Sequence, residues 1–211
     1  MRRSAHQHAL VARSLIAELK ADFLIRTRTP QMKNTPKVIA IYSMLTWANA
    51  SFGHVTLAEP AALANTSYRA AFKIGHGCAG SPTVAVKVMI PAGFQGAKPM
   101  PHAGWVLQVN ISKLDRPYQS RGQEVTHDVA EISWTAASKD AWLPDAHYDE
   151  FVLQGGLPAE GGAMWFKLVQ TCEKGVNQWT EVPARGTSTQ GLKSPAALLE
   201  IIPSDQAGHQ H

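Results

Sequence analysis

Strict alternation of apolar and polar residues is what most restricts the fold of this chain. Tyr68, Ala70, Phe72 and Ile74 are separated by more polar partners, Val84, Val86, Val88 and Ile90 repeat the pattern, and Trp105, Leu107, Val109 and Ile111 repeat it again. A period of two puts one set of side chains on one face of an extended strand, which requires a sheet with a buried face. Further candidate strands span residues 129–135, with Ile132 and Trp134, residues 148–153, with Phe151 and Leu153, and residues 164–172, with Met164, Phe166 and Leu168 on one face. Turn signals rich in Gly and Pro separate them, at residues 77–82, 91–96, 99–104, 155–158 and 161–162. About seven or eight such strands without amphipathic helices between them predict an all-β fold, an antiparallel β-sandwich of the immunoglobulin or fibronectin III type.

The segment ahead of these strands has the anatomy of an export leader. Lys33 and Lys37 form a basic start, residues 38–48 are mostly apolar, and Ser51 and Gly53 occupy the small-residue positions before a cut. The apolar stretch is too short for a permanent membrane helix, which takes about 20 residues. Cleavage between Gly53 and His54 makes His54 the first residue of the product. Residues 1–53 are therefore read as an extension plus signal peptide, with Met32 as an alternative start. The competing reading is a buried core element of a cytoplasmic protein.

Removing that segment changes the charge. The chain carries 20 Lys+Arg and 16 Asp+Glu, a formal charge of +4, but eight of the basic and two of the acidic residues fall in residues 1–53. The remainder holds 12 basic and 14 acidic residues, so the basic balance of the whole chain is no sign of nucleic-acid binding. No later apolar run reaches spanning length, which predicts a periplasmic or secreted product with no permanent membrane anchor.

Two cysteines, Cys78 and Cys172, predict one disulfide in an oxidising compartment. Cys172 shares parity with Met164, Phe166 and Leu168, and Cys78 with Phe72 and Ile74, so both sulfurs are expected to face the core and join the sheets. Closing so long a loop stabilises by roughly 4 to 5 kcal/mol at most in the chain-entropy model. A Cys-Cys copper site is the alternative, weakened by the lack of a Cys-x-x-Cys spacing.

A succession of short motifs runs through this region: His54-Val55-Thr56-Leu57, then His76-Gly77-Cys78-Ala79-Gly80-Ser81-Pro82-Thr83, then Ala97-Lys98-Pro99-Met100-Pro101 with Gly104-Trp105. Trp134, Leu143-Pro144-Asp145, Tyr148-Asp149-Glu150-Phe151, Val169-Gln170-Thr171-Cys172-Glu173 and Trp179-Thr180-Glu181 follow in order. From residue 54 to about 183 the chain resembles the YcnI family of exported bacterial copper-binding domains. That resemblance implies an immunoglobulin-like sandwich holding Cu(II) in a brace made by one N-terminal histidine, assisted by a carboxylate and an adjacent tryptophan.

Mapped onto this chain, the histidine is His54, the carboxylate is Glu150 with Asp149 as its competitor, and the tryptophan is Trp179. An N-terminal histidine offers its α-amine and its imidazole Nδ1 to one ion, and the amine releases its proton near pH 8. That nitrogen pair suits Cu(II) far better than Mg or Ca. Alternation sends Asp149 and Glu150 to opposite faces; with Phe151 and Leu153 inward, Asp149 shares the inner face and Glu150 points outward, unless a bulge changes the parity.

Simpler readings stand beside these. Glu150 can be a solvated strand carboxylate, and Trp179 a core or rim aromatic like Trp105, Trp134, Trp142 and Trp165. His76, between two glycines, reads as a turn former, and His102 and His147 as exposed loop residues. Met100, between two prolines, is either a soft thioether for Cu(I) or a plain loop residue. After Pro183 the composition turns to Gly, Ser, Thr and Gln. Residues 184–211 are set apart as a C-terminal tail, in which residues 195–202 form a short helix or strand and His209 and His211 are either a loose metal-capturing arm or an ordinary end.

Three functions remain open. The first is a non-catalytic copper carrier that hands Cu(II) to a copper transporter or a cuproenzyme. The second is a copper oxidoreductase resembling the polysaccharide oxidases with an N-terminal histidine, and the third a metal-free adhesion or assembly module. Those oxidases use a second histidine, whereas the matching motif here supplies a carboxylate, whose hard oxygen favours Cu(II) over Cu(I) and so favours the carrier. The exported protein is expected to have the intact mass of a chain starting at His54, and alkylation without reduction should label neither cysteine. A different terminus, or two reactive thiols, would refute the corresponding half.

Overall fold

The computed structural model describes residues 53–204; Met32, the leader residues Lys33, Lys37 and Ser51, and the tail histidines His209 and His211 lie outside them. Its strands are β1 (Thr56–Leu57), β2 (Ala61–Leu63), β3 (Ser67–Ile74), β4 (Thr83–Met89), β5 (Gln95–Pro99), β6 (Trp105–Ser120), β7 (Gln123–Ala136), β8 (Asp149–Gly156), β9 (Gly162–Cys172), β10 (Val176–Trp179) and β11 (Ala197–Ile202). One sheet has the order β1-β3-β8-β5, and the other β2-β11-β9-β4-β7-β6, with β10 running beside the last part of β9. Pairing is antiparallel except between β2 and β11, which are parallel. The fold is an immunoglobulin-like β-sandwich.

The expected alternation builds its core. Tyr68, Ala70, Phe72 and Ile74 of β3 and Phe151 and Leu153 of β8 are buried, and so are Val86, Val88, Ile132, Trp134, Phe166 and Leu168 of the other sheet. Phe72 and Phe94 both meet the ring of Phe166 edge-on, at centroid separations of 5.4 and 5.3 Å. The indole N–H of fully buried Trp134 donates to the carbonyl of Met100 at 3.0 Å, so its burial leaves no donor unpaired.

Cys78 and Cys172 form a disulfide with a Cα separation of 5.9 Å. Both are buried, but Cys78 lies in the passage from β3 to β4, where it bridges Ser81, instead of within a strand of the first sheet. The bond therefore ties the point where the chain crosses between sheets to the end of β9.

Three segments differ from the reading of the sequence. Val109 and Ile111, expected in the core, are exposed, Ile111 at 67%. Val109 stands on the edge strand β6 opposite Ile132, while Ile111 lies past the span Glu131 to Thr135 over which β7 also pairs with β4, where β6 and β7 continue as a two-stranded ribbon. Its turn has Arg121 and Gly122 at φ 51° and 76°, the left-handed pair that a tight hairpin demands. Residues 95–99, which fall across the turn signals at 91–96 and 99–104 and in none of the expected strands, are the edge strand β5; a register shift between Gln95 and Lys98 breaks its period, and Pro99 is tolerated because it stands at an edge. Within the segment set apart as a tail, β11 docks between β2 and β9 with Ala197, Leu199 and Ile201 buried.

Leu199→Ala should therefore cost about 2–5 kcal/mol, the range for a truncated core leucine. Ile111→Ser should leave stability within about 0.5 kcal/mol. Urea unfolding of the two variants checks both; similar losses would mean that the ribbon is packed against something.

Candidate metal centre

β1 is short, but it is anchored. Val55 and Leu57 are buried, while Thr56 pairs with Lys73 and Leu57 with Phe72. Alternation then leaves His54 and Thr56 exposed, with His54 at one end of the first sheet.

His76 reaches the same place from the end of β3. The chain next makes a tight turn in which the backbone groups of Cys78 and Ser81 exchange two hydrogen bonds of 3.1 Å, with Ala79 and Gly80 at φ 51° and 86°. Gly77 is confined against this turn, since a Cβ there would lie 1.8 Å from the carbonyl oxygen of Ser81. Its N–H donates to Asp145 Oδ1 at 2.8 Å. The His76 ring donates from Nδ1 to the Gly77 carbonyl at 2.6 Å, and its Nε2 is hydrogen-bonded to the carbonyl of Gly53.

Both imidazoles lie against one indole. His54 and His76 meet Trp179 edge-on, with ring centroids 6.0 and 6.2 Å away and interplanar angles of 61° and 75°. Trp179 is 3% exposed and belongs to the core, as the simpler reading of it has it, and the ring of His54 rests against it.

Gln170 holds this arrangement in place. At 1% exposure, its amide donates to the His76 carbonyl at 2.7 Å and to Thr83 Oγ1 at 2.8 Å, and it accepts from Trp179 Nε1 at 3.1 Å and Asn177 Nδ2 at 3.2 Å. The reading of the sequence names this residue within a motif but gives it no role. Its signal was there: a polar side chain at the inward position that follows Met164, Phe166 and Leu168 on β9.

The carboxylates lie farther along the sheet. Glu150 pairs with Lys73, which in turn pairs with Thr56, so Lys73 stands between β1 and Glu150. The Glu150 carboxylate accepts from the Tyr148 hydroxyl and lies 3.7 Å from the guanidinium of Arg69. The bond to Glu150 first, then desolvation and the charges of Glu150 and Asp149, push the Tyr148 hydroxyl up to about 12, against the opposing influence of Arg69. Asp149 Oδ2 meets His102 Nε2 at 2.9 Å, and its Oδ1 accepts from the Glu150 N–H at 2.8 Å. His102 is thus half-buried instead of exposed, stacked on Phe151 at 4.9 Å between centroids. His147 and Met100 are exposed.

Among the described residues no hydrogen bond or ion pair joins Glu150 to His54, and no three His, Cys, Asp or Glu side chains gather closely enough to hold a metal ion. A main-chain donor would add to His54 as a ligand. An α-amine at His54 would be one.

A family model described as "Domain of unknown function (DUF1775)" matches residues 54–201. No curated protein matches the chain. Among solved structures, the crystal structure of an uncharacterized protein from Nocardia farcinica with an immunoglobulin-like fold is similar, at a TM-score of 0.53 and 23% identity, covering 70% of this chain and 97% of that one. That likeness bears on the fold alone.

Gln170→Leu keeps the volume but strands the Trp179 and Asn177 donors. It should destabilise the protein by about 1–3 kcal/mol for each donor left unpaired in the interior. Urea unfolding followed by tryptophan fluorescence checks it, and an unchanged midpoint would mean that the amide is dispensable.

Proposed function

This chain belongs to the DUF1775 family, and from that premise we propose that it is an extracytoplasmic Cu(II)-binding protein whose metal sits at a processed N-terminus, a copper carrier and not an enzyme. The observation that carries this reading is the exposed His54 side chain set edge-on against the buried indole of Trp179. Buried Val55 and Leu57 fix the strand, so a terminal amine and the imidazole of the same residue start close to the geometry a chelate needs. The order of motifs shared with YcnI-like copper domains supports the same ion. Amine and imidazole nitrogens suit copper, and an oxygen from Glu150 would add a full negative charge for a dication.

An open site also suits hand-over. His54 lies at the surface, where a transporter or a cuproenzyme has access to the ion. In this reading Glu150 must exchange its bonds with Tyr148 and Arg69 for the metal, which makes its contribution smaller than that of the terminus.

The test compares protein starting at His54 with the same protein carrying one added Gly in front. The added residue converts the amine to an amide, and Cu(II) affinity in competition titrations should fall at least about 100-fold, or about 2.7 kcal/mol. Equal affinity would refute the terminal site. Glu150→Gln in the processed protein should weaken Cu(II) more than Cu(I), with Asp149→Asn as the control that leaves both unchanged.

A further inference from the structure

We infer, on the proposed processing at His54 and the copper site there, that His76 Nε2 supplies a third nitrogen to the same ion, so that the site holds two imidazoles and one α-amine; the preference for a carrier then rests on the open, exposed position of His54 and not on a missing second histidine. In the unprocessed chain Nε2 is hydrogen-bonded to the carbonyl of Gly53, the carbonyl of the very peptide bond whose cleavage frees His54. Hydrolysis removes Gly53 with that oxygen. It leaves Nε2 facing the new amine.

The distances are short enough. The oxygen and nitrogen of one peptide group are about 2.3 Å apart, so a ring nitrogen bonded to that oxygen lies within roughly 5 Å of the His54 nitrogen. Two nitrogens that share an ion at about 2.0–2.1 Å each are at most about 4 Å apart. A shift of roughly 1 Å closes the difference.

His76 is also held as a ligand is held. Its Nδ1–H donates to the Gly77 carbonyl at 2.6 Å, which directs the Nε2 lone pair of the neutral ring away from the backbone once Gly53 has gone. Metal-bound histidines ordinarily donate the other ring N–H in this way. Gln170 fixes the His76 carbonyl and the Trp179 indole with one amide, and the ring rests edge-on against that indole as His54 does. Glu150 is less well placed, with its carboxylate engaged by Tyr148 and Arg69 and Lys73 in the intervening pair.

Pulsed EPR on Cu(II)-loaded wild-type protein starting at His54 counts the coordinated imidazoles without any substitution. Two are expected. His76→Gln should reduce the count to one and weaken Cu(II) and Cu(I) at least tenfold, because imidazole serves both oxidation states, while urea unfolding and the blocked cysteines show that the variant is folded. One imidazole in the wild type, with affinity still lost on adding Gly before His54, would overturn the role of His76 and leave the terminal site standing. Absence of Cu(II) binding by the processed protein would overturn both.

Discussion

One buried carboxamide organises the end of the sandwich at which His54 lies. Gln170 projects inward from β9 and uses both its donors and its acceptor oxygen, reaching the His76 loop, the start of β4 at Thr83, and Asn177 and Trp179 on β10. A primary amide in a protein interior is costly unless satisfied, and among the described residues no buried side-chain nitrogen or oxygen lacks a partner. Two residues farther along the same face, Cys172 binds Cys78. The amide thus holds this loop at His76 and at Thr83, and the disulfide holds it between them at Cys78.

That frame separates fixed from adjustable parts. Trp179 is locked by burial and by its N–H bond, and β1 by Val55 and Leu57. What remains free to respond to a ligand is the exposed side of His54 and the salt-bridged carboxylate of Glu150, whose partner Arg69 is itself largely solvated. An exposed ion pair of this kind contributes little to stability and is easily exchanged. Rigidity therefore sits beneath the imidazoles, and mobility one rung away.

Alternation made β3, β4 and β9 readable because each lies on a two-sheet core, where every second side chain must be apolar. The same pattern misled at Val109 and Ile111, since an edge strand and the ribbon it runs into can carry it without a facing layer. β5 was hidden by a register shift and a proline, whereas residues 195–202 read as helix or strand alike and were set apart as tail by the polar loop before them. At the site, His54 and Trp179 were singled out through motif order. His76 was set aside as a turn former because nothing in the local sequence reveals that its loop and the segment at Gly53 converge in space. Gln170 failed to draw notice for a different reason: a lone polar residue at an inward position looks like an exception until its four partners, all of them distant in sequence or in another strand, are brought to it.

The parallel pairing of β2 with β11 joins Ala61 to Glu200, and it sets an order of assembly. A chain that emerges from a translocation pore with its N-terminal end first displays β2 long before β11 exists to receive it. The halves of the disulfide, at residues 78 and 172, are both out sooner. A disulfide closed before β11 docks would leave the early half of β9 bare on the side that Ala197 to Ile201 fill, exposing a row of unpaired backbone groups of the kind that recruits other chains. With the export proposed above, the hazard would lie in that interval, and yield outside the cytoplasm would depend on how quickly the last strand arrives.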